Sequence, residues 1–299
     1  MKKLPFTGSG VAMVTPFTDD DKINYESVSE LVEMHINHKT DCIIVCGTTG
    51  EASVLTDDEQ EELIRRTVKC VNGRIPVIAG AGSNNTKALV TKAKRAEAAG
   101  ADGILSVTPF YNKANTTGLI EHYKSLSCAV KLPIIVYNVP SRTGMNIPIR
   151  AYHELEQFEN IVGVKEASGS ISYVSAIRSA APSLGIYSGN DDMTVPVISL
   201  GGVGVISVLG NIFPDELSEM CRLALTGDIS KAGEMQNEFI PAIKALFSEV
   251  NPIPVKSAMR ILGYKVGRTR LPLGEPDSEK LGFLMRLLLN GYGAKKLDR

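Results

Sequence analysis

The sequence predicts a (β/α)8 barrel followed by a helical C-terminal appendage. Three observations carry the prediction: eight short runs rich in Val and Ile, amphipathic stretches of helical period between them, and an end to strand signals after about Leu223. The runs are Val11 to Val14, Cys42 to Cys46, Pro76 to Ala79, Gly103 to Val107, Ile134 to Tyr137, Ile161 to Lys165, Ile186 to Ser188 and Val205 to Val208. Between them, Val28, Leu31, Val32 and Ile36 mark one helical face, and Leu63, Ile64, Thr67 and Val68 another. Thr56 with Glu59 forms a capping box that opens the second helix, and Gly100 closes the third. A doubly wound open sheet is the alternative, because closure of the sheet is not written in periodicity. Past Leu223 the pattern gives helices over Ile240 to Phe247, Pro254 to Leu262 and Ser278 to Leu289, separated by Pro and Gly. The expected division is a catalytic barrel over residues 1–223 and a helical region over residues 224–299 that serves packing or oligomerisation.

A chain of 299 residues, 43% hydrophobic and 22% charged, can bury a large core. Its 32 Lys and Arg against 33 Asp and Glu leave a formal charge of -1, which offers no basic field to nucleic acid or anionic lipid. A small-molecule partner is expected. No apolar stretch of signal-peptide length follows Lys2 and Lys3 before Gly8, and no segment reaches the roughly 20 apolar residues that span a bilayer. A cytoplasmic location is therefore expected. Cys42, Cys46, Cys70, Cys128 and Cys221 form an odd set with no CxxC pair and read as reduced core thiols. His35, His38, His122 and His153 all fall in predicted helices, away from the strand ends, so no metal site is expected. Gly80-Ala81-Gly82 lacks the third glycine of a dinucleotide fingerprint, and Gly47 to Gly50 lacks the lysine of a phosphate loop. No cofactor is assigned.

In a parallel barrel, functional groups project from the C-terminal strand ends, so the reactive side chains there are informative. Only the sixth strand ends in lysine. The period of two places Lys165 on the face of Ile161 and Gly163, with Glu166 pointing away. A solvated lysine is neutral in roughly one molecule in 2,500 at pH 7, whereas a desolvated one is a usable carbonyl nucleophile. The fifth strand ends in Tyr137, with Arg142 on the loop beyond; a phenol can move protons, and a guanidinium can clamp a carboxylate. The second strand ends in Gly47-Thr48-Thr49-Gly50-Glu51, whose hydroxyls and turning backbone suit a small carboxylate.

These motifs resemble the dihydrodipicolinate synthase and N-acetylneuraminate lyase superfamily over nearly the whole chain. GTTGE at Gly47 to Glu51, PFYNK at Pro109 to Lys113, YNVPSRTG at Tyr137 to Gly144, GVKEASG at Gly163 to Gly169 and GGVGVISV at Gly201 to Val208 occur in the family's order and spacing. Arg142 and the Tyr111-Asn112 pair look like the synthase branch. The resemblance implies condensation of pyruvate with L-aspartate 4-semialdehyde to 4-hydroxy-tetrahydrodipicolinate, on the route to diaminopimelate and lysine. It implies that Lys165 forms a Schiff base, that Tyr137 transfers protons, and that Thr48 links Tyr137 to a Tyr111 from a neighbouring subunit. Thr49 and the backbone near Ile206 are expected to hold the pyruvate carboxylate and Arg142 that of the aldehyde, with Gly189 and Asn190 at the mouth. A homotetramer made of two tight dimers is implied as well. Lysine-sensitive relatives carry two histidines and a glutamate where this chain has Asp57, Gln60 and Ala88, so weak inhibition by lysine is expected. The competing readings are an aldolase for a 2-keto-3-deoxy sugar acid or N-acetylneuraminate, a metal-dependent pyruvate aldolase, and a non-catalytic scaffold.

Overall fold

The computed structural model describes residues 2–287. Eight parallel strands close into one barrel in sequence order: β1 (Gly8–Ala12), β2 (Cys42–Val45), β3 (Val77–Gly80), β4 (Gly103–Val107), β5 (Ile134–Asn138), β6 (Ile161–Glu166), β7 (Gly185–Ser188) and β8 (Gly204–Ser207), with β8 pairing back onto β1. Around them run α1 (Tyr25–Asn37), α2 (Asp57–Val71), α3 (Thr86–Ala98), α4 (Thr116–Ala129), α5 (Pro140–Thr143), α6 (Ile149–Leu155), α7 (Ile171–Ala180), α8 (Thr194–Ser199) and α9 (Pro214–Leu225). The chain continues through α10 (Ile229–Leu246), α11 (Ile253–Ile261) and α12 (Ser278–Leu287). Closure removes the open-sheet alternative. Among the described residues, no helix is long and apolar enough to cross a membrane.

Side-chain alternation along the strands produces two cores. Phe6, Cys42, Ile44, Ile78, Ile135, Tyr187 and Ile206 fill the barrel. Ile43, Val45, Ile104, Val136, Val164 and Val205 face outward into the larger layer shared with the helices. Phe6 and Tyr187 stack with ring centroids 4.6 Å apart, and the Tyr187 hydroxyl donates to the Phe6 carbonyl at 2.6 Å. A packed interior leaves space for chemistry only at the barrel's two ends.

The first strand starts three residues before the predicted one. Gly8 and Gly10 look like breakers, yet a Cβ at Gly10 would lie 2.7 Å from the Phe6 ring and one at Gly8 would lie 2.3 Å from the Asp41 carboxylate. A register irregularity at Ile134/Ile135 pairs Ile134 with Ile161 and Ile135 with Gly163. Ile161 therefore belongs to the outer core, and only Gly163 shares the inward face with Lys165, a correction to the strict period of two.

The Thr56–Glu59 capping box forms as read, and Gly100 follows α3 at φ +92°. Cys42, Cys46 and Cys221 are buried thiols, but Cys128 is exposed and Cys70 is half-buried. Cys128 falls off the buried stripe of α4, which runs through Leu119, His122, Tyr123 and Leu126. The helix predicted over Ile240 to Phe247 is the second half of α10, which continues through Pro241. Its earlier half is fixed by tertiary contacts: the Gln236 side chain accepts from the Val195 amide at 2.8 Å and donates to the Asp192 carbonyl at 2.8 Å. Residues 288–289 of the last predicted helix lie outside the described residues.

Candidate active site

A cavity of about 190 Å³ opens at the C-terminal ends of the strands. Lys165 and Tyr137 are directly paired neighbours on β6 and β5, so their side chains project the same way, and the Lys165 Nζ lies 4.5 Å from the centre of the Tyr137 ring. Lys165 is 6% exposed, and among the described residues nothing hydrogen-bonds to or pairs with its amine. Burial lowers its pKa to about 8, opposed by the charge of Asp191 and assisted by that of Arg142. Burial also pushes the Tyr137 phenol up to about 12, with Arg142 pulling it down and Glu166 raising it, so it remains a proton donor at neutral pH.

The surrounding backbone leaves that amine room and little else. A Cβ at Gly189 would lie 2.6 Å from the Ala167 Cβ and 3.1 Å from the Lys165 Cε, so a side chain there would displace the lysine. Glu166 points out of the barrel, accepting from the Asn138 Nδ2 at 2.8 Å and the Ser168 amide at 2.6 Å. Asn138 also donates to Asn146 at 3.0 Å, which ties the loop carrying Arg142 to the end of β6. Asp191 is buried beside the end of β8, where its carboxylate accepts from the Ser207 hydroxyl and from the Val208 and Leu209 amides at 3.1 and 3.0 Å.

Thr48, Thr49, Arg142 and Gly189 all line this cavity. The Arg142 Nη2 donates to the Asn251 carbonyl at 3.1 Å, and the Thr49 hydroxyl accepts from the Asn251 Nδ2 at 3.0 Å. Ile206 is fully buried in the inner core beneath the cavity, and Val208 takes its place in the lining. Tyr111 is not brought to the cavity by its own chain: it is 92% exposed, on a loop where it adopts φ +68°.

Sequence reasoning missed Asn251, Phe247 and Asp191. The first two line the cavity from the C-terminal region, which therefore contributes to the site rather than only to packing. One clue was available: Asn251 and Lys256 interrupt an apolar, proline-marked stretch, and a polar group in such a stretch needs a buried partner. A larger groove of about 1110 Å³ lies at the opposite end of the barrel, and two of its charged groups, Lys2 and Asp102, are tied to the main chain. Lys2 donates to the carbonyls of Glu156, Phe158 and Ile161, and Asp102 accepts from the Val77 amide.

Comparison with known proteins places this geometry. Residues 5–290 match the model of the dihydrodipicolinate synthetase family. A 4-hydroxy-tetrahydrodipicolinate synthase of Caldicellulosiruptor saccharolyticus is 54% identical over 288 residues, 96% of this chain and 97% of the relative. Among solved structures, dihydrodipicolinate synthase from Aquifex aeolicus superposes with a TM-score of 0.93 at 42% identity, covering 95% of this chain and 98% of that one. A chloride-inhibited dihydrodipicolinate synthase from Acinetobacter baumannii, complexed with pyruvate, gives 0.93 at 39% identity over 95% and 98%. The chain belongs to the dihydrodipicolinate synthetase family.

Proposed function

We propose that this chain is a Schiff-base lyase that condenses pyruvate with L-aspartate 4-semialdehyde to give 4-hydroxy-tetrahydrodipicolinate, in diaminopimelate and lysine biosynthesis. The observation that carries the reading is the unpartnered, desolvated Lys165 amine against the Tyr137 ring, with threonine hydroxyls and a guanidinium in the same small cavity. The neutral amine adds to the pyruvate keto carbon, and Tyr137 supplies the proton with which the oxygen leaves as water. The iminium draws electrons from the adjacent methyl group, which returns a proton to the Tyr137 phenolate; the resulting enamine attacks the aldehyde carbon, whose oxygen takes up that proton, and the semialdehyde's own amine then adds to the iminium carbon, closing the ring and expelling the Lys165 amine. Thr49 and the backbone near Ile206 hold the pyruvate carboxylate, Arg142 holds that of the aldehyde, and Gly189 leaves space at the mouth. Borohydride reduction with pyruvate, followed by mass mapping, tests the reading: a stable adduct on Lys165 supports it, and no adduct sinks it.

Tyr111 enters this scheme from a second copy. Its exposure and its strained loop suit a side chain presented to a partner, where Thr48 would link it to Tyr137 in a proton relay. Mixing Tyr111→Phe with Lys165→Ala subunits is expected to restore part of the lost activity, because one kind of hybrid site then holds both intact groups. Failure to recover activity after demonstrated subunit exchange counts against sharing. A homotetramer of two such dimers, a cytoplasmic location and a barrel over residues 1–223 with a helical region over residues 224–299 complete the proposal.

Arg142→Ala is expected to impair use of the aldehyde far more than imine formation with pyruvate, since losing a charge-assisted pair typically costs about 2–5 kcal/mol. Equal loss in both half-reactions, read by steady-state kinetics and by trapping, removes the assigned role. Inhibition by lysine is expected to be weak. Ala88 offers no charged acceptor where a glutamate would, the Gln60 amide is neutral and donates to the Ala52 and Leu55 carbonyls at 2.8 and 3.3 Å, and the Asp57 carboxylate already lies 3.4 Å from the Lys92 ammonium. Strong cooperative inhibition at submillimolar lysine in initial-rate assays would contradict this.

A further inference from the structure

We propose that Asn251 fixes the direction of the Thr49 hydroxyl proton, making Thr49 an obligate donor to the carboxylate of the bound 2-oxoacid. The inference rests on the reading of Lys165 and Thr49 given above and adds a positioning residue from the C-terminal region. Asn251 lies between α10 and α11, is 6% exposed and lines the cavity. Its Nδ2 donates to the Thr49 Oγ1 at 3.0 Å. A hydroxyl has one proton and two lone pairs, so a threonine that already accepts from an amide has its proton left to give. Thr49 is 2% exposed, and among the described residues nothing accepts that proton. The acceptor must come from whatever occupies the cavity, and a carboxylate offers only acceptors.

The amide's orientation is supported by what surrounds it. The Asn251 Oδ1 is buried with no partner. As placed, the amide leaves its oxygen and one N–H over, whereas reversing it would strand both N–H groups, and a buried N–H without a partner is rarer than a buried carbonyl without one. The main-chain carbonyl of the same residue accepts from the Arg142 Nη2 at 3.1 Å, so Asn251 stands between the groups assigned to the two substrate carboxylates.

An aspartate at this position keeps the shape and the contact with Thr49 but reverses its sense. The hydroxyl must then donate to the new carboxylate and can offer only lone pairs to the ligand. A role limited to packing predicts that Asn251→Asp behaves like the native protein, whereas the orienting role predicts a loss. The experiment titrates pyruvate against borohydride trapping in the native protein, Asn251→Asp, Thr49→Val and the double variant, with thermal unfolding to check each fold. Native trapping on Lys165 is required by the underlying reading, so its absence is a failure of that reading and not of the inference.

Asn251→Asp is expected to raise the half-saturating pyruvate concentration roughly ten- to a hundredfold, the loss of a hydrogen bond to a charged group. Thr49→Val should lose a similar factor, and the double variant should be no worse than Thr49→Val alone. A simple effect of added negative charge would act equally in both backgrounds, so a full further loss in the double variant overturns the inference. Native-like trapping by Asn251→Asp overturns it too. If Asn251→Asp does not fold, Asn251→Ala reads the same cycle: it should weaken pyruvate where Thr49 is present and leave the Thr49→Val background unchanged, and an equal loss in both refutes the orienting role.

Discussion

Lys165→Ala should abolish borohydride trapping of pyruvate and lower turnover by at least about a thousandfold, as loss of a covalent nucleophile commonly does. With its pKa lowered to about 8, Lys165 is neutral in roughly one molecule in ten at pH 7, against roughly one in 2,500 for a solvated lysine. The amine must lose its proton to attack, so imine formation should climb as pH rises toward about 8 and level off above it. A second lysine provides the control. Lys256 is also buried, and burial lowers it to about 8 as well, against the opposing charge of Glu51. Its Nζ, however, donates to the Thr15 carbonyl at 3.0 Å, the Glu51 carboxylate at 2.9 Å and the Arg268 carbonyl at 2.7 Å. Three acceptors occupy all three donors of an ammonium group, whereas the Lys165 amine has none among the described residues. Mass mapping after reduction should therefore find the adduct on Lys165 alone. An adduct on Lys256 in the native protein would mean that desolvation, and not the absence of partners, selects the nucleophile.

That contrast also shows what a sequence can and cannot carry. Lys165 was legible because it ends a strand, and strand ends in a parallel barrel share one mouth; Tyr137, Arg142 and the Thr48-Thr49 turn were found by the same rule. The barrel itself was legible because buried parallel strands read as short apolar runs separated by helical periods. The first half of α10 was not, because Pro241 interrupts its pattern and its hold on Val195 and Asp192 is a matter of folded geometry. Asn251 was missed for a related reason. Its partners Thr49 and Arg142 are 202 and 109 residues away, and no local period encodes a contact between a barrel loop and a segment beyond the barrel. The irregularity between β5 and β6 was hidden too, since a strand with one extra residue looks like any other until its partner is known.

Lys256→Met should destabilise the fold by about 3–5 kcal/mol, the usual result of removing one member of a buried ion pair. Glu51 and Lys256 are both almost fully buried, with side chains 0% and 2% exposed. Among the described residues the Glu51 carboxylate has one other donor, the Arg270 amide at 2.9 Å, so losing Lys256 leaves a buried anion poorly matched. Lys256 also packs 4.2 Å over the Phe17 ring, where a methionine can keep the apolar contact while losing the charge. The loss should therefore be electrostatic rather than a cavity. Its functional consequence follows from position. Glu51 ends the turn that carries Thr48 and Thr49 and holds φ +55°, a left-handed conformation that costs a residue with a side chain about 1–2 kcal/mol. Lys256 reaches from α11 to pin that residue, and the Thr15 hydroxyl pins its neighbour by donating to the Gly50 carbonyl at 2.6 Å. Without Lys256 the turn should loosen, and the half-saturating pyruvate concentration should rise in folded Lys256→Met, while the pH dependence set by Lys165 stays in place. Denaturant unfolding and pyruvate titration check the two effects separately. A stability loss below about 1 kcal/mol, the range of an exposed pair, would show that the contact behaves like a surface salt bridge and does not hold the turn.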